Sequence, residues 1–232
     1  FEDAMHIQKK EKELCPKHTM IPPRTKEQAW NESRHFWHYP RLATPEYTNQ
    51  GPMKEEIAAM NIHSKKIMVN EKNLEERVGS DLLRPVLSHE VGHYKICPYS
   101  LKNFVRLVSA ADEIVKDIGQ AKQLENMFAD LLINYHLFKN GEKGIVRVYE
   151  KLFSRGEQSP LWDFYLETFA GMINKRPSRS RLPEKEREDA HRLSDLLKES
   201  ASSSQSWPSS IREFARHLKK YLDEEEKPKY PA

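Results

Sequence analysis

The chain has 232 residues, of which 38% are hydrophobic and 31% are charged, and its formal net charge is only +3. This length supports one sizeable hydrophobic core with a smaller appendage, and the near-neutral charge gives no broad case for a nucleic-acid-binding protein. Two cysteines exclude a disulfide framework, and no apolar run suits a signal sequence or a membrane span, so we expect a cytoplasmic protein without a membrane partner. Because the chain begins with a phenylalanine and ends in a charged tail, we expect it to be a piece of a longer protein that has a further domain or partner chain.

The first 47 residues are punctuated by prolines, which argue against long regular elements. Four large aromatic side chains nevertheless lie close together in this stretch: Trp30, Phe36, Trp37 and Tyr39. They are too many for a disordered tail. Residues 1–47 are therefore predicted to form an arm that packs over the core, with a short helix near Lys26–His35.

A short strand is predicted at Lys66–Asn70, where an apolar run is bounded by polar residues. It lies shortly before the helix that carries the main motif of the chain. An exposed strand edge beside a catalytic helix can hold an extended peptide through main-chain hydrogen bonds. The strand therefore predicts a small sheet next to the candidate site.

The next helix, predicted from about Leu83 to Cys97, carries the most informative motif, His-Glu-Val-Gly-His. Its two histidines, His89 and His93, are four residues apart and thus lie on one helical face, one turn from each other. Both imidazoles can reach one metal ion. Glu90 beside them can act as a general base toward a water molecule that zinc acidifies.

The boundaries of this helix are also predicted from the sequence. Ser80 or Asp81 is expected to cap its start, and the helix must end before Pro98, because proline pushes the preceding residue out of the helical region. Gly92 costs about 1 kcal/mol relative to alanine in mid-helix. A close packing contact is therefore expected at Gly92.

A catalytic zinc site usually has three protein ligands and one position for water, so one more ligand is needed. The metzincin pattern would require glycine at position 96 and histidine at position 99. The chain has Ile96 and Tyr99 there, which excludes that class. The third ligand must come from a separate element.

A helix predicted from about residue 120 to 139 offers two carboxylates, Asp130 and Glu125. Asp130 is the only charged residue between Met127 and Ile133, so it is expected to be buried, and a buried carboxylate needs a metal or another cation nearby. Glu125 lies about 140° around the helix from Asp130. We favour Asp130 as the ligand, with Glu125 as the alternative if Asp130 only orients a histidine ring.

Two amides flank Asp130 at helical spacing. Asn126, Asp130 and Asn134 are each four residues apart and form one polar stripe on an otherwise apolar helix. Amides in these positions are suited to hydrogen-bond the metal ligands. Asn126 and Asn134 are therefore predicted to support the metal site.

The remaining helices are predicted from their apolar periodicity at about 101–118, 144–153 and 160–173. Beyond residue 175 charged residues dominate, followed by a serine-rich linker and a short amphipathic helix. We therefore expect an α+β, mostly helical fold with a small sheet. Residues 48–175 would form the core, and residues 176–232 a charged helical C-terminal extension.

No residue is singled out as the group that stabilises an oxyanion. Four candidates lie near the motifs, and each is equally compatible with a packing role: Tyr94, Tyr99, Tyr135 and His136.

At these residues the sequence resembles the zincin superfamily of metallopeptidases, in the non-metzincin branch whose third ligand is a carboxylate. The first motif, together with Asn126-x-x-x-Asp130-x-x-Ile133-Asn134, is similar to prokaryotic metallopeptidase-like proteins found beside von Willebrand factor A-type domains. The resemblance covers roughly residues 66–140. It implies a short twisted sheet beside two zinc-bearing helices, and peptide-bond hydrolysis with His89 and His93 as ligands. In the gluzincin pattern a ligand glutamate stands four residues before the aspartate, where this chain has Asn126.

The leading hypothesis is therefore a zinc-dependent peptidase that acts on a peptide or protein substrate with Glu90 as the base. The alternative is a zincin fold kept as a binding or regulatory module, held inactive by its N-terminal arm. A third hypothesis, nucleic-acid binding through basic residues between Arg176 and Lys185, is weakened by the acidic residues that follow them closely.

Overall fold

The computed structural model describes residues 25–49, 56–154, 159–175 and 181–225. These residues form nine α-helices and one three-stranded sheet, which confirms the prediction of an α+β, mostly helical chain. In chain order the elements are α1 (Lys26–Phe36), β1 (Glu46–Thr48), β2 (Ala58–Asn61), β3 (Lys66–Asn70), α2 (Glu71–Arg77), α3 (Leu83–Lys95), α4 (Leu101–Val115), α5 (Ile118–Lys139), α6 (Gly144–Ser154), α7 (Pro160–Met172), α8 (Glu184–Ser200) and α9 (Trp207–Glu225). Within the described ranges, no helix combines the length and apolar character that crossing a membrane requires.

The sheet has the strand order β1-β3-β2, with the predicted strand Lys66–Asn70 at its centre. Strand β1 runs parallel to β3, and β2 runs antiparallel to it, with Ala58 opposite Val69. Ile67 and Val69, two residues apart on β3, both point into the core, as expected for one face of a half-buried strand. Strand β2 lies at the edge of the sheet, so among the described residues one side of it has no strand partner.

Helix α1 packs against α3 and is anchored to its backbone. The hydroxyl of Ser33 donates to the carbonyl of Arg84 over 3.0 Å, and Trp37 Nε1 donates to the carbonyl of Ser88 over 2.8 Å. Trp30 and Trp37 are both buried. The described part of the predicted arm is thus an integral contributor to the core around α3.

Helices α3 and α5 approach each other closely at Gly92. A Cβ atom at this position would collide with Cγ2 of Ile133 on α5, which gives the packing reason expected for a mid-helix glycine. The predicted cap of α3 is wrong: a 3₁₀ turn over Ser80–Leu82 leads into the helix, and no side chain caps it. The carboxylate of Asp81 instead accepts a hydrogen bond from Arg147 on α6.

Helices α8 and α9 pack into the same hydrophobic core as α4, α5 and α7. The residues predicted as a serine-rich linker form a tight turn between α8 and α9. The hydroxyls of Ser200 and Ser210 lie 2.6 Å apart, and Trp207 Nε1 donates to the carbonyl of Ser200. The segment predicted as an extension therefore supplies buried side chains to this core.

Two of the basic residues considered for nucleic-acid binding, Arg176 and Arg179, lie outside the described residues.

Candidate metal centre

Three side chains from two helices converge at the point where α3 and α5 meet. His89 and His93 come from α3, and Asp130 comes from α5. Oδ1 of Asp130 lies 3.3 Å from Nε2 of His89 and 3.4 Å from Nε2 of His93. One potential ligand atom from each of the three residues lies within 4.8 Å of the other two, so the group can hold a metal ion.

Hydrogen bonds on the far side of each ring set the orientation of the two imidazoles. Nδ1 of His93 lies 3.2 Å from the carbonyl oxygen of Cys97, which can only accept, so this nitrogen carries the proton. Nδ1 of His89 lies 2.8 Å from Oδ1 of Asn134, whose amide nitrogen donates to Tyr149. In the neutral rings both Nε2 lone pairs therefore point toward Asp130.

When both rings are neutral the arrangement fits a metal ion, because the lone pairs of two imidazoles and one carboxylate then meet with no donor between them. Oδ1 of Asp130 is buried and has no hydrogen-bond partner among the described residues. A buried carboxylate oxygen in this situation needs a cation. Ligands bound tetrahedrally at about 2.0–2.1 Å are separated by about 3.3–3.4 Å, which agrees with the two distances measured to Asp130.

The electrostatics of the metal-free site are consistent with tight coupling of these three groups. Burial raises the pKa of Asp130, but the neighbouring imidazoles outweigh burial and lower this pKa well below its usual range. Burial lowers the pKa of His89, whereas the charge of Asp130 raises it, with a net increase to about 9. Without a metal, a proton on His89 thus supplies positive charge beside Asp130.

A cleft of about 480 Å³ opens over the three residues. Its walls come mainly from β2, α3, α5 and α6, with Phe104 of α4 and Trp162 of α7. Glu90 lines this cleft although only 6% of the residue is exposed. Burial raises the pKa of Glu90, and the charges of His89 and His93 partly offset that increase.

The remaining residues predicted for the site lie in different surroundings. Glu125 lines the cleft but does not belong to the three-residue cluster. Asn134 is fully buried and contacts His89, whereas Asn126 is exposed and makes no hydrogen bond to the cluster in the part of the chain described. Asn126 lines the same cleft, and its support of the metal ligands stays a prediction.

Tyr149 of α6 was not predicted as a site residue. Its hydroxyl accepts from Nδ2 of Asn134 over 2.7 Å, lies 3.1 Å from the hydroxyl of Tyr165, and continues the chain of contacts that begins at His89. Burial raises the pKa of Tyr149, so its hydroxyl keeps its proton and can serve as a donor to Tyr165. The sequence around Tyr149 showed only the periodicity of a core helix, which contains no signal for this contact.

The four residues considered as oxyanion stabilisers do not line the cleft. Tyr99 contacts Trp207, and His136 stacks on Trp37, so both have packing partners elsewhere. Residues 25–47, the described part of the predicted inhibitory arm, do not line the cleft either, and residues 1–24 lie outside the described ranges.

No family model, no curated protein and no solved structure matches this chain.

Proposed function

We propose that this chain is a zinc-dependent peptidase that hydrolyses peptide bonds in a zincin-like fold. The observation that supports this proposal most strongly is the convergence of His89, His93 and Asp130 at the floor of a cleft that Glu90 also lines. A metal site that only stabilised the fold would use four protein ligands and be closed to solvent. Three ligands beside a cleft and a free carboxylate are typical of hydrolytic zinc sites.

The donor set and its dimensions favour zinc over the hard cations. Calcium and magnesium prefer all-oxygen surroundings, whereas two imidazoles and one carboxylate suit zinc. The 3.3 and 3.4 Å separations measured to Asp130 are those expected for a tetrahedral site with zinc bond lengths. When bound, zinc supplies Lewis-acid chemistry, because it polarises a peptide carbonyl and lowers the pKa of water to about 7.

Glu90 performs the proton transfers in this proposal. It has no hydrogen-bond or ion-pair partner among the described residues, and it follows His89 directly on α3, so its carboxylate is available to a water molecule in the cleft. The pKa of Glu90 is raised by burial, which brings it closer to the pH at which a general base works well. Glu90 takes a proton from the attacking water and then delivers it to the leaving amine.

Asn134 and Cys97 position the two histidines. Their oxygens hold Nδ1 of His89 and of His93, which keeps Nε2 of each ring available as a ligand. A hydrogen bond from the ring nitrogen that does not face the metal site fixes the tautomer and raises the basicity of the nitrogen that does.

Edge strand β2 provides a binding surface for an extended substrate. Its residues Ala58–Met60 line the cleft, and one side of the strand has no partner within the described sheet. A peptide that adds to this edge would gain main-chain hydrogen bonds without regard to its sequence. The scissile bond would then lie over the three-residue cluster.

The proposal is tested with the purified chain, one equivalent of zinc and unfolded protein or fluorogenic peptide substrates. We expect cleavage that a chelator abolishes and that zinc restores. Glu90→Gln should lower kcat/KM by at least about 1,000-fold, of the order attributed to general acid–base catalysis, while the zinc content stays at one per chain. Glu150→Gln, the same change at an exposed position on α6, is the matched control and should retain wild-type activity.

Zinc binding without cleavage of any substrate would contradict the proposal. So would equal cleavage by the wild type and Glu90→Gln, because another residue would then have to activate the water.

A further inference from the structure

A third buried carboxylate lines the cleft, and neither the metal cluster nor the proton transfers use it. Glu125 lies on α5, five residues before Asp130, and only 4% of it is exposed. Its Oε1 atom has no hydrogen-bond partner among the described residues. The packing of the fold gives no reason for a charged residue at this position, because an apolar side chain would fill it without an unpaired oxygen.

No cation of the described residues compensates Glu125. None of the ion pairs in these residues includes Glu125, and the two titratable groups that interact with it are Asp130 on the same helix and the buried thiol of Cys97. Burial, and then the negative charge of Asp130, raise the pKa of Glu125 to about 8. The carboxylate is thus poised to gain strongly from a cation that enters the cleft.

The other cleft walls suit the hydrocarbon part of a basic side chain. Pro98, Phe104 and Trp162 line the same cleft, and all three present apolar or aromatic surface. Lysine and arginine bury their methylene stems on such surfaces while the charged end reaches a partner, and arginine also stacks on aromatic rings. A cleft that combines these apolar surfaces with a buried carboxylate is therefore chemically complementary to a lysine or arginine side chain.

We propose that Glu125 determines substrate specificity by pairing with a lysine or arginine side chain of the peptide bound in the cleft. This inference rests on the proposed peptidase function and adds the substrate class. Glu125 is not a ligand of the metal cluster, because the three atoms that converge belong to His89, His93 and Asp130. A neutral Glu125 that merely donated a hydrogen bond to the substrate would not distinguish lysine from its uncharged analogue.

The test compares peptides that carry lysine or norleucine at a single position, which is moved stepwise along the peptide. Lysine and norleucine have nearly the same shape and differ in the charged ammonium group. With the zinc-loaded wild type we expect kcat/KM to be about 10- to 100-fold higher for lysine at one position, the range for a hydrogen bond to a charged group. Glu125→Gln should bring this ratio close to one, and Glu125→Asp, which keeps the charge, should retain most of it.

Glu56→Gln is the matched control, since Glu56 also lines the cleft but is exposed. If the general negative potential of the cleft caused the preference, Glu56→Gln and Glu125→Gln would lower the ratio equally, and the inference would be overturned. The inference would also be overturned if the wild type cleaved the lysine and norleucine peptides at the same rate at every position.

A binding measurement separates this inference from the proposed function. The lysine and norleucine peptides are labelled with a fluorophore, and their dissociation constants are measured for four zinc-loaded proteins. These are the wild type, Glu125→Gln, Glu90→Gln and the double variant that carries both substitutions. If no variant cleaves any peptide but lysine still binds at least tenfold more tightly through Glu125, the peptidase proposal fails and the recognition of a basic side chain stands. If cleavage occurs but Glu125→Gln changes neither the lysine-to-norleucine ratio of kcat/KM nor that of the dissociation constants, the peptidase proposal stands and the recognition of a basic side chain by Glu125 fails.

Discussion

Two regions of helix α5 carry the same kind of buried charge in opposite surroundings. At Asp130 the helix faces two imidazoles of α3, and the pKa of the aspartate is lowered. At Glu125, five residues earlier, no cationic side chain of the described ranges pairs with the carboxylate, and the pKa of the glutamate is raised to about 8. Both carboxylates lie in the wall of one cleft, so burial alone does not distinguish them. What distinguishes them is the neighbouring helix, which supplies positive charge to one and not to the other.

The comparison separates two tasks that acidic residues perform in a binding cleft. A carboxylate held among imidazoles in the folded chain can serve a permanently bound metal ion. A buried carboxylate without a partner is costly until a cation enters from outside. Substitutions can test whether Asp130 holds a metal ion while Glu125 awaits a cation from outside.

The largest effect is expected when the two carboxylates are neutralised one at a time. Asp130→Asn should weaken zinc binding by more than the 10- to 100-fold typical of losing an outer hydrogen-bond partner, because it removes the charge of a ligand. Glu125→Gln should leave the zinc affinity within a few-fold of wild type. Competition with a chromogenic chelator measures both values, and the opposite ranking would make Glu125 the third ligand.

The next effect concerns the two asparagines of α5. Asn134→Ala should lower the zinc affinity by about 10- to 100-fold, because His89 loses the acceptor that fixes its ring. Asn126→Ala is the matched control on the same helix and should change the affinity little, since among the described residues the Asn126 side chain makes no hydrogen bond to His89, His93 or Asp130. Equal losses of zinc affinity in the two variants would show that Asn126 and Asn134 both support the metal ligands.

A smaller effect is expected in the stability of the metal-free protein as a function of pH. The pKa of Glu125 rises from 4.5 in the unfolded chain to about 8 in the folded state. Between these values the folded state holds a proton that the unfolded chain has released, so this group lowers the free energy of unfolding by up to about 1.4 kcal/mol per pH unit as the pH rises.

Glu125→Gln lacks this titration. Its stability relative to wild type should therefore increase from pH 5.5 to pH 7.5, as measured by urea unfolding with a chelator present. A difference that stays constant with pH would mean that Glu125 has its ordinary pKa.

The smallest effect is expected at Tyr149. Tyr149→Phe removes the acceptor of the Asn134 amide and should reduce the free energy of unfolding by about 1 kcal/mol. It should also lower the zinc affinity a few-fold, because Asn134 is then less firmly oriented toward His89. Tyr135→Phe on α5 removes a hydroxyl that has no hydrogen bond among the described residues, and it serves as the control. Equal zinc affinities for Tyr149→Phe and wild type would limit the role of Tyr149 to packing.

Several features of the site were predictable because they depend on local spacing. The four-residue interval between His89 and His93 fixes both on one face of α3, and the isolation of Asp130 among apolar residues indicated a buried charge that needs a cation. The bounds of β3 and the end of α3 before Pro98 followed from the same local rules. The different burial of Asn126 and Asn134 was not predictable, because helical spacing gives the direction of a side chain but not the depth of its burial.

The sequence by itself defined the candidate side chains, which are two histidines, a glutamate beside them and an acidic partner, and it defined the helices that carry them. The tertiary structure alone decided which of the two carboxylates meets the histidines, that β2 forms a wall of the cleft, and that Tyr149 completes the contacts behind His89. The reason is that spacing along one helix fixes angles within that helix. Distances between helices depend on how their side chains pack, as the close approach of Gly92 to Ile133 shows.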